Sequence, residues 1–375
     1  MKFISDKLRF KGKMAVWAIA VSFLIIIVSI SVAGGFRREI RNGVSEIAGD
    51  VQITDIHQNY YSDSDPIRTG LPSVDEILKV KGVISISPAV YRAGIVKSEE
   101  GIKGVLFKGV PTDSSSLEVK VPSKIAKSLR LSQGDDLTAY FIGEKVRVRK
   151  FRVSEIYESI IDNEDNLIVY ASIDDLRRLN GWSEDEASAL EVTLDEAYRS
   201  RVLMNGKEAE IGALCYPLMA SSSAHRYGNM FDWLDLIDFN VLAILVLMIL
   251  VAAFNMISGL LILLFRSIST IGILKTMGMR DSRIAGVFLR ISSGIVLKGM
   301  VAGNLAAFLI CGLQSAFHII KLDPSNYFVS FVPVEINVLQ ILIADAAAYA
   351  AIMVLLLIPS LFISRIDPAE TVRVK

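Results

Sequence analysis

Two cysteines and three histidines in 375 residues, and a formal net charge of zero, remove several kinds of protein at once. Two thiols cannot build a disulfide framework or a four-thiolate zinc site. Cys311 falls inside an apolar run and Cys215 outside the runs, which also speaks against an intrachain disulfide. His57, His225 and His318 are scattered over separate predicted loops without partners at ligand spacing, so each reads as a solvated side chain. The chain has no G-x-x-x-x-G-K-[ST], no H-E-x-x-H and no G-x-S-x-G. No catalytic residue and no metal ligand is therefore assigned, no cofactor is expected in this chain, and no nucleic-acid partner is expected.

What is abundant is apolar surface. Hydrophobic residues make up 52% of the chain and the mean hydropathy is +0.46, too apolar for an ordinary soluble protein of this size. Runs of the roughly 20 residues needed to cross about 30 Å of hydrocarbon occur near Met14 to Gly34, Phe239 to Phe265, Ile291 to Phe317 and Val338 to Ile363. Basic groups precede the first run (Lys2, Lys7, Arg9, Lys11, Lys13), separate the second from the third (Arg266, Lys275, Arg280, Arg283, Arg290) and follow the fourth (Arg365, Arg373, Lys375). The positive-inside rule puts all three groups, and both termini, in the cytoplasm. Arg37, Arg38 and Arg41 run against it, but large domains translocate largely regardless of charge. Ser31-Val32-Ala33 also resembles a signal-peptide cleavage site; the apolar run is longer than a usual h-region and continues at helical spacing through Phe36, Ile40, Val44 and Ile47, which favours a retained anchor.

The fold expected is an integral membrane bundle of four transmembrane helices, with a large α+β extracytoplasmic domain of two lobes inserted between helices 1 and 2. The segments are 1–35 (N-terminus and helix 1), 36–235 (extracytoplasmic domain), 236–266 (helix 2), 267–290 (cytoplasmic segment), 291–317 (helix 3), 318–336 (short outer loop), 337–364 (helix 4) and 365–375 (tail). In the domain, Gly49 to Thr54 alternates like a strand, and Ser73 with Glu76 reads as a capping box for a helix over Val74 to Val80. Val83 to Val96 and Ile102 to Val110 read as a hairpin. A second unit has helices at Pro122 to Leu129 and Ile173 to Leu179 and an alternating run from Leu137 to Tyr157, after which Ala189 to Leu194 rejoins the first unit. Ser221-Ser222-Ser223 reads as a polar turn.

The most informative stretch is Arg266 to Arg290. Positive charge holds it in the cytoplasm, Gly272 and Gly278 allow tight reversals, and Ile271, Ile273, Leu274 and Met277 form an apolar stripe. Such a stripe outside the bilayer calls for a protein partner. Gly294, Gly299 and Gly303 give the third run a small-residue face suited to close helix packing. Asp345 and Lys298 lie within apolar runs, where a charge is costly; Asp345 lacks the second aspartate that a protease would need, and a Lys298–Asp345 pair is open.

These pieces resemble the FtsX/MacB-type ABC permeases, and among them the lipoprotein-releasing LolC/LolE family. The resemblance rests on Phe254-Asn255-Met256-Ile257-Ser258, on Ile271-Gly272-Ile273-Leu274-Lys275-Thr276-Met277-Gly278 as the coupling segment, and on Tyr327, Pro333 and Val334. It extends to Pro359-Ser360, the ending Arg365-Ile366-Asp367-Pro368-Ala369-Glu370, and Lys108-Gly109-Val110. It implies a permease subunit that pairs with a second permease, the same chain or a paralogue. A separate cytoplasmic ATPase holds the ATP and magnesium and docks on Ile271, Gly272, Ile273, Leu274, Lys275, Met277 and Gly278. It further implies an inner-membrane location, a lipoprotein substrate extracted from among the membrane lipids, and a periplasmic carrier that receives it. Two departures stand out: Thr270 replaces the acidic residue that the family carries there, and the turn Phe141 to Lys145 is short for a carrier-catching hairpin. MacB-like efflux and FtsX-like signalling to an extracytoplasmic hydrolase are the competing readings.

Overall fold

The computed structural model describes residues 13–58, 65–98, 100–111, 117–143, 145–158, 167–323, 327 and 329–360. The chain runs through helix α1 (Lys13–Ala48), strands β1 (Val51–Thr54) and β2 (Ile67–Arg68), helix α2 (Ser73–Ile77), and strands β3 (Val83–Lys97), β4 (Ile102–Val110) and β5 (Glu118–Pro122). Helix α3 (Ser123–Ser128), strands β6 (Asp136–Phe141), β7 (Arg147–Tyr157) and β8 (Ile168–Ser172), helix α4 (Ile173–Asn180), and strands β9 (Glu186–Ala187) and β10 (Ala189–Leu194) follow. After these come α5 (Arg201–Cys215), β11 (Met219–Ser222), α6 (Ser223–Arg226), α7 (Gly228–Arg266), α8 (Ile268–Thr276), α9 (Asp281–Phe317), α10 (Val338–Leu355) and α11 (Leu357–Ser360). Contacts divide the chain into two units, one of Met1–Phe36, Asp235–Ile320 and Val332–Lys375 and the other of Arg37–Leu234 and Lys321–Phe331.

The first unit is helical. Among the described residues, four stretches are long and apolar enough to cross a membrane: α1, α7, α9 and Val338–Pro359. At 1.5 Å per residue the 36 residues of α1 and the 39 of α7 extend well beyond the roughly 30 Å that hydrocarbon demands. Their shared core holds Phe23, Ile26, Met256, Leu260, Phe288 and Ile352. Backbones meet where side chains vanish: a Cβ on Gly303 would sit 2.4 Å from the Ala20 carbonyl oxygen, and one on Gly299 would sit 2.6 Å from Ile19 Cγ2. One turn further on, Ala307 packs with Ile27 and Ile341. Gly294 does not share this role, since a Cβ there would meet nothing within 4 Å.

Polar side chains bind the same helices crosswise. Asn304 Nδ2 donates to Asp345 Oδ2 at 2.5 Å, tying α9 to α10. The open Lys298–Asp345 pair is thus settled otherwise: Asp345 is buried against Asn304, and Lys298 is exposed. Gln314 closes the neck of the loop between α9 and α10, donating to the carbonyls of Ile320 and Val332 at 3.2 and 3.1 Å and accepting from the Ile320 amide at 3.0 Å.

The second unit is built on one strand order, β11-β1-β10-β3-β4-β8-β5-β7-β6. Strand β3 is 15 residues long because it serves twice: Val83 to Ala89 pairs with β10, and Val90 to Lys97 pairs with β4. The end of β3 also pairs with β6, closing β3, β4, β8, β5, β7 and β6 into a ring. Alternation sends Phe107, Phe141 and Phe151 inward, with ring centroids 4.9 to 6.4 Å apart. Gly94 is there because a side chain would press on Phe107 and Phe141 at about 3 Å.

Several local expectations fail. Ser73 opens α2 as its first residue, with Pro72 in the cap position and no side-chain cap, so the capping box is absent. Ser221 and Ser222 belong to β11, held by β1, and Ser222 Oγ then accepts from the His225 amide to start α6. His225 therefore sits on a helix, 3.8 Å from Glu208, and not on a loop. The chain ending 365–370 lies outside the described residues.

Gly303→Leu is expected to destabilise the protein in detergent by about 1 to 3 kcal/mol, the usual cost of overpacking, whereas Gly294→Leu leaves thermal unfolding unchanged. Equal losses in the two variants would show that α1 and α9 do not meet at Gly303.

Candidate functional site: the basic segment and the end of the first helix

Between α7 and α9 the chain makes a short helix and one sharp turn. Ser267 is buried, and its amide reaches the carbonyls of Leu263 and Leu264, which ends α7 and lets α8 begin at once. Helix α8 stops at a glycine stop signal: Gly278 has φ +80, its amide bonds the Lys275 carbonyl at 2.9 Å, and the Met279 amide bonds the Leu274 carbonyl at 3.0 Å. That pair of bonds around a left-handed glycine is the Schellman arrangement. Lys275 Nζ then bridges to Asp281 Oδ1 at 3.1 Å, joining the end of α8 to the first turn of α9. Gly272 makes no reversal; it lies inside α8 and is buried.

The apolar stripe divides. Ile271 is 1% exposed and packs into the helical core, and Leu274 is partly buried against it. Ile273 is 54% exposed and Met277 78%, one turn apart on the outer face, with Thr270 exposed beside them. The exposed part of the stripe is thus two apolar side chains beside a neutral threonine, smaller than the sequence suggests.

A second cluster was not anticipated. Helix α1 has no basic residue in its last turn, so its terminal carbonyls, the negative end of the helix dipole, need charge from elsewhere. Lys108, 2% exposed, supplies it: Nζ donates to the carbonyls of Glu46 at 3.0 Å and Ile47 at 2.9 Å and to Glu191 Oε2 at 2.8 Å. The Tyr91 hydroxyl donates to the Ile47 carbonyl and contacts Glu191 Oε1. Arg226 Nη2 holds the Ala48 carbonyl at 2.9 Å. Arg199 binds Asn42 of α1 at 2.9 Å and Asp50 just beyond it at 3.1 Å. Burial pushes the Asp50 carboxyl above its ordinary range, against the Leu194 amide and Arg199. Burial, then the charges of Glu46 and Glu191, likewise raise the Tyr170 hydroxyl. The available signal was a lysine at position 108 inside a strand otherwise rich in apolar residues.

Residues 242–368, which contain α8 and its turn, match the model of the FtsX-like permease C-terminal domain. This is an FtsX-like permease domain. The chain is 22% identical to the lipoprotein-releasing system transmembrane protein LolC of Xylella fastidiosa, over 97% of this chain and 94% of that one. It is 23% identical to the corresponding LolE of Haemophilus influenzae, covering 96% and 93%. Among solved structures it resembles the periplasmic region of MacB from Actinobacillus actinomycetemcomitans at 13% identity and a TM-score of 0.31, over 50% of this chain and 95% of that one.

Within the permease domain lie all seven residues assigned to coupling and the three glycines assigned to packing, while the Lys108 cluster lies outside it. The hairpin of β6 and β7 pairs Phe141 with Arg147, leaving a five-residue tip at 142–146.

Lys108→Met is expected to lower stability in urea by about 3 to 5 kcal/mol, because Glu191 and two helix carbonyls lose their buried partner. Adding Glu191→Leu should recover much of the loss. A double variant no better than the single one would mean that the ion pair is not what holds the helix end.

Proposed function

We propose that this protein is the permease subunit of an inner-membrane ABC transporter, working beside a second permease subunit. It couples ATP hydrolysis by a separate cytoplasmic ATPase to extraction of lipoproteins for transfer to a periplasmic carrier. The observation that carries the reading is the match to LolC and LolE over nearly the full length of each chain, together with an FtsX-like permease domain at its C-terminal side. Loop charge supports cytoplasmic termini and a periplasmic position for residues 36–235.

The proposed route of force starts at Ile273 and Met277. ATP and its magnesium belong to the partner, whose closure presses on this exposed pair. Lys275–Asp281 and the turn at Gly278 pass the displacement from α8 to α9, and Gly299 and Gly303 pass it from α9 to α1. Thr270, where the family has an acid, leaves the docking surface with one charge fewer. The short tip at 142–146 argues against capture of the carrier by this subunit.

Depletion of the protein should trap mature lipoproteins in the inner membrane on fractionation, and normal sorting would refute the release function. Ile273→Asp and Met277→Asp should each reduce co-purification of the ATPase roughly tenfold or more, since each places charge in an apolar contact. Neither should change the thermal unfolding of the permease. Ile271→Asp should instead destabilise the permease itself, as its side chain is in the helical core. Unchanged co-purification of the first two variants would move the docking surface elsewhere.

A further inference from the structure

The ring of strands has a second apolar face, on its outside. Pairing places Ala93, Leu106 and Ile168 side by side across β3, β4 and β8, and Ile95 beside Gly104 in the next row. The row after that, Tyr91, Lys108 and Tyr170, holds the end of α1. The first two rows form the floor of a cavity of about 660 Å³, within the range of pockets that bury a small organic ligand. Gly104 has open space where a side chain would stand, and Ala93 is short, so the floor is a trough. At the end nearest α1 the wall is Arg226. Its Nη atoms are engaged by Gln52 and the Ala48 carbonyl, while Nε is buried without a partner among the described residues. A buried, unmade donor of a charged group costs free energy unless an acceptor arrives.

A trough with an apolar floor that ends at one cationic side chain suits a single alkyl chain that ends in a carbonyl or carboxylate oxygen. We propose that the trough takes a fatty acyl chain of the lipoprotein substrate, its methylenes over Ala93, Leu106 and Ile168 and its carbonyl oxygen at Arg226, whose side chain turns to bring the buried Nε to the trough. The identity of the substrate rests on the release function proposed above. The trough is a holding site on the second unit, so that the chain leaves the membrane for another apolar surface and is not exposed to water along its length.

The test places a photo-crosslinking amino acid at Ile142, on the exposed rim, in the full-length protein within cells. The probe is a tagged lipoprotein, compared with the same protein carrying serine at its acylated cysteine. The expected result is an adduct with the acylated probe alone, reduced about tenfold by Ala93→Trp, which fills the trough, and by Arg226→Gln, which removes the charged donor. Adducts formed equally with both probes, adducts of phospholipid only, or a permease–permease adduct would each overturn the proposal. Thermal unfolding and membrane level of both variants guard against misfolding. Lipoproteins that sort normally on depletion sink the release function; a sorting defect without an acyl-dependent adduct at Ile142 sinks the trough alone.

Discussion

The ammonium group of Lys108 is the constraint on which the second unit turns. Burying such a charge costs several kcal/mol, and the interaction with Glu191 repays this only when the remaining protons are also satisfied. Here they are, by the carbonyls of Glu46 and Ile47. An apolar substitute for the whole pair could be as stable, so the gain lies in position. A hydrophobic contact lets a helix end slide by an ångström; three hydrogen bonds from one nitrogen fix which carbonyls face the sheet. Arg226 at Ala48 adds a further fixed point on the same turn, and Arg199 at Asn42 adds one a turn earlier.

In the membrane-spanning unit the equivalent precision comes from absence of side chains. Lipid tails are as apolar as leucine, so burial alone does not drive helices together, and close packing and hydrogen bonds must do so. Gly299 and Gly303 bring α9 onto the backbone of α1, and Asn304 reaches Asp345 across to α10 only one position further along. Close approach and the polar bond thus fall on neighbouring faces of α9, and α1 and α10 both reach it at Ala307.

Features set by a few neighbouring residues were legible from the sequence: the four apolar runs, the β3–β4 hairpin, and a tight reversal at Gly278, though not the helical place of Gly272. Features set by distant partners were not. Strand β11 reads as a serine turn because its strand character comes from β1, some 170 residues away in the chain. Strand β8 was missed for the same reason, lying between β4 and β5. Lys108 entered only within the Lys108-Gly109-Val110 likeness, and its structural role was not legible, since its acceptors come from α1 and β10. The coupling stripe was legible as a pattern but not as a surface, because α8 turns Ile271 inward and leaves Ile273 and Met277 outward.

That division of the stripe has a mechanical consequence on the proposed function. A docking surface gains from exposed apolar area, at roughly 25 cal/mol per Å² removed from water, but a partner gripping only loose side chains would move them without moving the helix. Helix α8 is only nine residues long and would be marginal alone. Ile271 anchors its inner face in the core, the Schellman turn fixes its end, and Lys275–Asp281 joins it to α9. A push on Ile273 or Met277 therefore acts on a braced helix, and the least costly response is displacement of α8 with α9. Since α9 meets α1 through backbone at Gly303, that displacement cannot be absorbed by side-chain rotation at the crossing. Rigid contact at each step, rather than a large contact area at the first, is what a transmitted stroke requires.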